Sequence, residues 1–348
     1  MRLDNAGDVL LAGPAVRAIA AHCGPVTMLA GPRGADAARL LPGVADVLVW
    51  LAPWVDLEPP PVRPDVLAEL TGRLAARRFT DAVIFTSFHQ SPLPTALVLR
   101  LAGIGRIAAI SEDYPGSLLD VRHRGEEDIP EPERALGLAR AAGFPLPAGD
   151  DGRLAVRGPL PDVSGLTGAE PYVVLHPGVS APARRWPLVR WMEAAALLVN
   201  QGRRVVVTGN AAERELTAAI AGPASRTAGA PVDLGGRTSL AELAAVLAGA
   251  DAVMVANTGA AHLAAAVGTS VVSLFAPVVP AARWAPYGVP AALLGDQSAP
   301  CRGSRAVHCG VPGHPCLTGV SAAAACGALD QLTAGQAALT GLAARRAG

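Results

Sequence analysis

Residues 251–277, DAVMVANTGAAHLAAAVGTSVVSLFAP, restrict the fold of this chain more than any other stretch. An apolar run at 252–256 reaches a polar break at Asn257, Thr258 and Gly259. A small-residue helix over 260–267 follows, Gly268 stops it, and a second apolar run covers 270–275. Two uninterrupted apolar runs joined through a helix predict parallel strands buried on both faces. Such sheets bind ligands beyond the carboxyl ends of their strands, and residues 257–259 lie at one of those ends. The helix after them offers unpaired backbone N–H groups and a positive dipole end, while Gly259 lets a ligand approach the backbone. The stretch therefore suits an anion such as a pyrophosphate. His262, about one turn into the helix, is placed to face the same spot.

The same alternation runs through the rest of the chain. A loop at 4–7 leads into a helix over 8–22. The strand that should feed this loop is either residues 1–3 alone or begins upstream of the first methionine, and the second reading is preferred. Strands at 25–30, 44–51, 81–85 and 106–110 alternate with helices at 31–41, 65–78 and 95–102, with a proline-rich loop at 53–64. A polar tract at 120–132 precedes a helix over 132–143. The Gly-, Pro- and Asp-rich residues 145–170 read as a linker. A second series follows, with strands at 172–175, 204–208 and 232–234 and helices at 187–201, 213–222 and 239–248, before the unit at 251–277. Residues 301–326 read as irregular and 321–344 as helical. Alternation of this kind specifies parallel sheets with helices on both faces, and 348 residues suit two such domains. The expected division is 1–160 and 168–330, with 331–348 packing back on the first domain.

Composition removes several function classes. At 51% hydrophobic and 17% charged residues the chain is not largely disordered. The formal charge is zero and aromatics make up 4%, so a general nucleic-acid surface is not expected. All 29 basic residues are arginines, so any role usually given to lysine falls to arginine. No apolar run approaches the ~18 residues of a membrane span, and no signal-peptide layout opens the chain; a cytoplasmic protein is expected, with at most peripheral contact with the inner face of the plasma membrane. No dinucleotide-binding G-x-G-x-x-G follows a strand, and neither a phosphate-loop motif nor a G-x-S-x-G elbow occurs. Cys301, Cys309, Cys316 and Cys326 stand near His308 and His314, but they are separated by seven, six and nine residues. Structural zinc sites use paired C-x₂₋₄-C knuckles, so buried thiols are the preferred reading, and no metal is assigned.

Several residues at strand ends are candidates for chemistry. Asp8 is either a helix N-cap or a general base able to take a proton from an attacking hydroxyl. His176 and Gly178 follow a buried strand, and Arg184 follows their loop, where a guanidinium can pair with phosphate oxygens in bidentate fashion. Glu213, beyond Thr208 and Gly209, suits either a favourable charge in a first helical turn or a ribose contact. His262 is either a core histidine or a ligand contact.

The ordered set RLDNAGD at 2–8, HPG and RRWP within 176–187, TGNAAE at 208–213, DLGGRTSL at 233–240 and NTGAAHL at 257–263 resembles glycosyltransferase family 9, the lipopolysaccharide heptosyltransferase family. The resemblance implies a GT-B fold: two Rossmann-like, doubly wound α/β domains facing a central cleft, the first binding acceptor and the second a nucleoside-diphosphate sugar. It implies Asp8 as catalytic base, and Arg184 and Glu213 as contacts to the donor's phosphates and ribose. Thr258, Gly259 and His262 would form the pyrophosphate and sugar loop, beside Asn257, His176, Gly178, Thr208 and Gly209. Asn5, Gly7, Ser87 and His89 become the acceptor-side candidates. The implied reaction is an inverting, metal-independent transfer of heptose or a related hexose to a cell-envelope glycan or lipid-linked acceptor, without a cofactor. A nucleotide-sugar epimerase and a non-catalytic sugar-nucleotide-binding protein are the alternatives.

Overall fold

The computed structural model describes the backbone of residues 1–347 apart from 57, 88, 126–127 and 223–228, and side chains, with the same omissions, as far as 335. The chain divides into two compact units, Met1–Arg157 and Gly158–Gly348.

In the first unit, β1 (Val26–Ala30) pairs in parallel with β2 (Val44–Val49). Likewise β3 (Asp81–Ile84), β4 (Arg106–Ile110) and β5 (Val121–His123) form a parallel set. Residues 1–3 join the two. Arg2 bridges Ala30 in parallel and its N–H donates to Leu29 O at 3.1 Å, while Phe85 N–H donates to Met1 O at 3.0 Å. Three residues thus act as the central strand, and the chain leaves the middle of the sheet directly into the helix that carries Asp8. β5 lies in the tract read only as polar. Three edge residues are too few for a periodic signal, and only pairing with Ala108 to Ile110 makes them a strand.

The helix expected over 8–22 is two helices, Ala6–Leu11 and Gly13–Cys23, with Ala12 between them. Pro14 is the cause: it has no N–H to donate to residue 10, and its ring crowds that carbonyl, so a continuous helix is replaced by one restarted with proline in its first turn. The early start also overturns the N-cap reading of Asp8. Asn5 holds the cap position, and Asp8 lies in the first turn.

The second unit has one six-stranded parallel sheet. Its strands are β6 (Tyr172–His176), β7 (Arg204–Gly209), β8 (Val232–Gly235), β9 (Ala252–Ala256), β10 (Val271–Leu274) and β11 (Ala291–Leu294), in the order β11-β10-β9-β6-β7-β8. The first unit follows the same plan, with residues 1–3 in the place of β6. β11, a four-residue apolar run between Pro290 and Gly295 that the sequence reading did not single out, is half exposed and is made a strand by its pairing with β10. The core includes Trp186 and Trp191, whose rings meet edge to face at 5.0 Å. Trp186 Nε1 donates to Val320 O at 3.1 Å. The helix Ala322–Ala347 enters this unit first: Ala325, Cys326 and Leu329 are buried in its core, and Leu332 packs against it. The return to the first domain was expected of 331–348; of these Leu332 packs on the second unit, and the side chains of 336–348 lie outside the described residues.

Candidate functional site

The sheet order sets β9, β6 and β7 side by side, so the loops after them share one edge. Each sequence candidate of the second unit lies at the end of one of these strands, in the loop after it or in the first turns of the helix that follows. His176, 8% exposed, has its Nδ1 2.9 Å from the hydroxyl of fully buried Thr208, which links the ends of β6 and β7. Glu213 accepts from Asn210 N–H at 2.8 Å, forming a capping box with Asn210 at the start of the next helical turns. Its carboxylate also lies so close over Gly178 that a Cβ there would fall 2.2 Å from Oε1. The absence of a side chain at Gly178 is therefore what lets the β6 and β7 loops close on each other. Glu213 was read as a dipole or ribose residue; the capping box is a further job that it does within the fold.

Arg184 comes from the β6 side and reaches the β9 loop, Nη1 donating to Asn257 O at 3.4 Å. The segment 301–320 secures its turn. Ala183 N–H donates to Val307 O at 2.8 Å, and His314 Nε2 donates to Ala183 O at 3.0 Å. The Cys/His-rich stretch thus has a scaffold role that its spacing did not reveal. Cys301 and Cys316 are buried free thiols, and burial foremost, with Cys301 and Cys309 close by, pushes the Cys316 thiol up to about 11.

Thr258 is the N-cap of the helix Gly259–Ala266, in an extended conformation, and its hydroxyl makes no cap bond. The first N–H groups of that helix therefore face the strand edge without a side-chain cap. Two side chains beside them are 6% exposed: Asn257 and His262. Among the described residues, neither Asn257 Oδ1 nor His262 Nδ1 has a hydrogen-bond partner. Burying such atoms unbonded costs about 1–3 kcal/mol each, a cost that a ligand's polar groups would remove.

Burial holds His176 down at about 4, and burial aided by the Arg184 guanidinium does the same for His262. Both imidazoles are neutral near pH 7. The unfolded chain protonates them below about 6.5 and the folded unit only near 4, so the unfolded state binds more protons in that window and stability falls with pH. Acidifying from pH 7 to pH 4 is expected to cost up to about 3 kcal/mol per imidazole. Urea unfolding across that range checks this, and His176→Asn should flatten the slope.

In the first unit the structure unites Asp8 and Ser87 through a residue that the motif reading did not single out. Arg2, 3% exposed, pairs through Nε with Asp4 at 2.7 Å, while Nη2 donates to Asp8 Oδ1 at 3.2 Å and Ser87 Oγ at 2.9 Å. Gln90 Nε2 donates to Asp4 Oδ1 at 2.6 Å. Glu131, 3% exposed, lies 3.6 Å from Arg134, which donates to Thr86 O at 2.8 Å. Burial works against the Arg2 charge, but Asp4, Asp8 and Glu131 outweigh it and hold the guanidinium charged. Gly7 is buried next to Asp8, whereas Asn5 and His89 are exposed. Asp4, Gln90, Glu131 and Arg134 were not anticipated; the carboxylate–arginine spacing of Glu131 and Arg134, three apart in a first helical turn, was the available signal.

A sequence model described as "Glycosyltransferase family 9 (heptosyltransferase)" matches residues 89–309. A lipopolysaccharide heptosyltransferase 1 of Pseudomonas aeruginosa is 38% identical over 169 residues, 47% of this chain and 44% of that protein. The chain thus spans less than half the length of the curated relatives that it matches. An E. coli ADP-heptose lipopolysaccharide heptosyltransferase II superposes with a TM-score of 0.73 at 20% identity, covering 96% of this chain and 98% of that one. E. coli heptosyltransferase WaaC with ADP-2-deoxy-2-fluoro heptose gives 0.65 at 21% identity, covering 93% and 97%. At these identities the structural likeness establishes the fold, the two-unit GT-B class. With its motifs in order and the sequence model matching well over half of its length, the chain belongs to glycosyltransferase family 9.

Proposed function

We propose that this protein is an inverting, metal-independent glycosyltransferase that moves heptose, or a related hexose, from an ADP-sugar to a cell-envelope glycan or lipid-linked acceptor. The observation that carries the proposal is the convergence in the second unit of an uncapped helix N-terminus, Arg184, and the buried Asn257 Oδ1 and His262 Nδ1 that lack partners. A diphosphate leaving group needs positive charge and N–H donors as its bond to the anomeric carbon breaks, and these groups supply both. The choice of ADP follows from the solved relative's ligand. Asp8 takes the acceptor hydroxyl's proton as the new O–C bond forms and the C–O bond to the diphosphate breaks, a single displacement that needs one base. Among the described residues no helix is long and apolar enough to cross a membrane, and we place the reaction on the cytoplasmic side, where ADP-sugars are made.

Thermal melting of the full chain with ADP, UDP, GDP, TDP and CDP, each with EDTA or magnesium, tests the donor site. A ligand at 100 times its Kd stabilises the folded state by about 2.7 kcal/mol. ADP is expected to raise Tm equally in EDTA and in magnesium, and Thr258→Val to diminish the shift. A shift that requires magnesium would overturn metal independence, and none with any nucleotide would overturn the donor site.

A further inference from the structure

We infer that Arg2 is a positioning residue for glycosyl transfer, holding the Asp8 carboxylate in orientation and in its ionised form. This rests on the reading of Asp8 as the base. Arg2 stands on the three-residue central strand, and its side chain is held on several sides: by Asp4 at Nε, and by Ser87 and Asp8 at Nη2. Its partners are held in turn. Gln90 donates to Asp4 and accepts from Ser87 N–H at 3.1 Å, and Ser87 Oγ lies 3.3 Å from Asp4 Oδ2. A cation anchored in this way presents a fixed direction to Asp8 on the neighbouring helical turn.

The two aspartates differ in the manner that the inference requires. The Asp4 side chain is 6% exposed and engaged by Arg2, Gln90 and Ser87, whereas that of Asp8 is 19% exposed and meets Arg2 through Oδ1. Asp4 is the anchor, and Asp8 is the carboxylate that a hydroxyl can approach. The other titratable groups facing Arg2 are Glu131, itself beside Arg134, and the Met1 amino group, whose pKa burial foremost and then Arg2 lower to about 5. An opposite charge at hydrogen-bond range lowers a carboxyl pKa by about 1–3 units. Arg2 therefore favours the ionised form of the base and holds it aimed before the acceptor arrives.

The experiment uses the full chain labelled with ¹³Cγ-aspartate, with the Asp8 resonance assigned by its loss in Asp8→Asn. Arg2→Met risks leaving Asp4 buried and unpaired, so Arg2→Met/Asp4→Asn, which removes both charges, and Arg2→Lys accompany it; a cooperative urea transition of wild-type amplitude confirms that both units of each are folded. Removing the Arg2 charge is expected to raise the Asp8 titration midpoint by about one unit or more. With ADP-heptose and a heptose-free lipopolysaccharide acceptor, the acid limb of kcat should shift likewise, the donor KM staying within about two-fold, and Arg2→Lys should restore the limb. A folded double variant whose Asp8 midpoint and acid limb stay at the wild-type position overturns the inference. Asp8→Asn retaining full transfer overturns the base assignment beneath it, whatever the titrations show.

Discussion

Asp8→Asn is expected to lower kcat for transfer by about 10²–10⁴-fold, the usual contribution of a positioned general base, with donor affinity unchanged. The amide preserves the shape of the side chain and can still accept a bond from Arg2 Nη2, so the polar network of the first unit should persist. It cannot take a proton from an attacking hydroxyl. Unchanged ADP affinity shows that the second unit is intact, and a urea transition of wild-type amplitude shows that the first is folded, so the two together separate a loss of kcat from misfolding. An Asp8→Asn protein that turns over at the wild-type rate would remove Asp8 from the chemistry and leave the Arg2 network as architecture.

The second large effect is expected at Arg184. Arg184→Gln should weaken ADP binding by about 10–100-fold, the range of one or two charge-assisted hydrogen bonds to phosphate. It should also raise the His262 midpoint from its depressed position near 4, because the guanidinium is one cause of that depression. Calorimetric titration with ADP and an NMR titration of the imidazole read the two effects independently. Weaker binding with an unmoved imidazole would put Arg184 farther from His262 in solution than the folded unit has it.

The pattern of chemistry in the second unit was largely legible. Apolar runs ending in polar breaks mark strand ends, and the candidates His176, Glu213 and Asn257 all follow such ends, so parallel pairing was enough to gather them. Their division of labour was not legible. Nothing local shows that Glu213 lies against Gly178 or that the irregular 301–320 segment braces the Arg184 turn through Val307 and His314, because these contacts join residues far apart in the chain.

In the first unit the reverse held for the charged cluster. Arg2 and Asp4 look like surface residues by type, since buried charges are rare and appear only with partners. Their partners Ser87 and Gln90 are more than eighty residues away. The sequence by itself determined the α/β class, the two successive strand–helix series and the strand-end loops that we propose bind a diphosphate sugar, because buried parallel strands and helix starts leave local periodic signals. Only the tertiary structure decided that residues 1–3 serve as a central strand, that Pro14 splits the first helix, and that Arg2 connects Asp4, Ser87 and Asp8. The physical reason is that a strand of three residues and a buried ion network have no local pattern of their own. Each is stabilised by neighbours that the chain delivers only after it has folded.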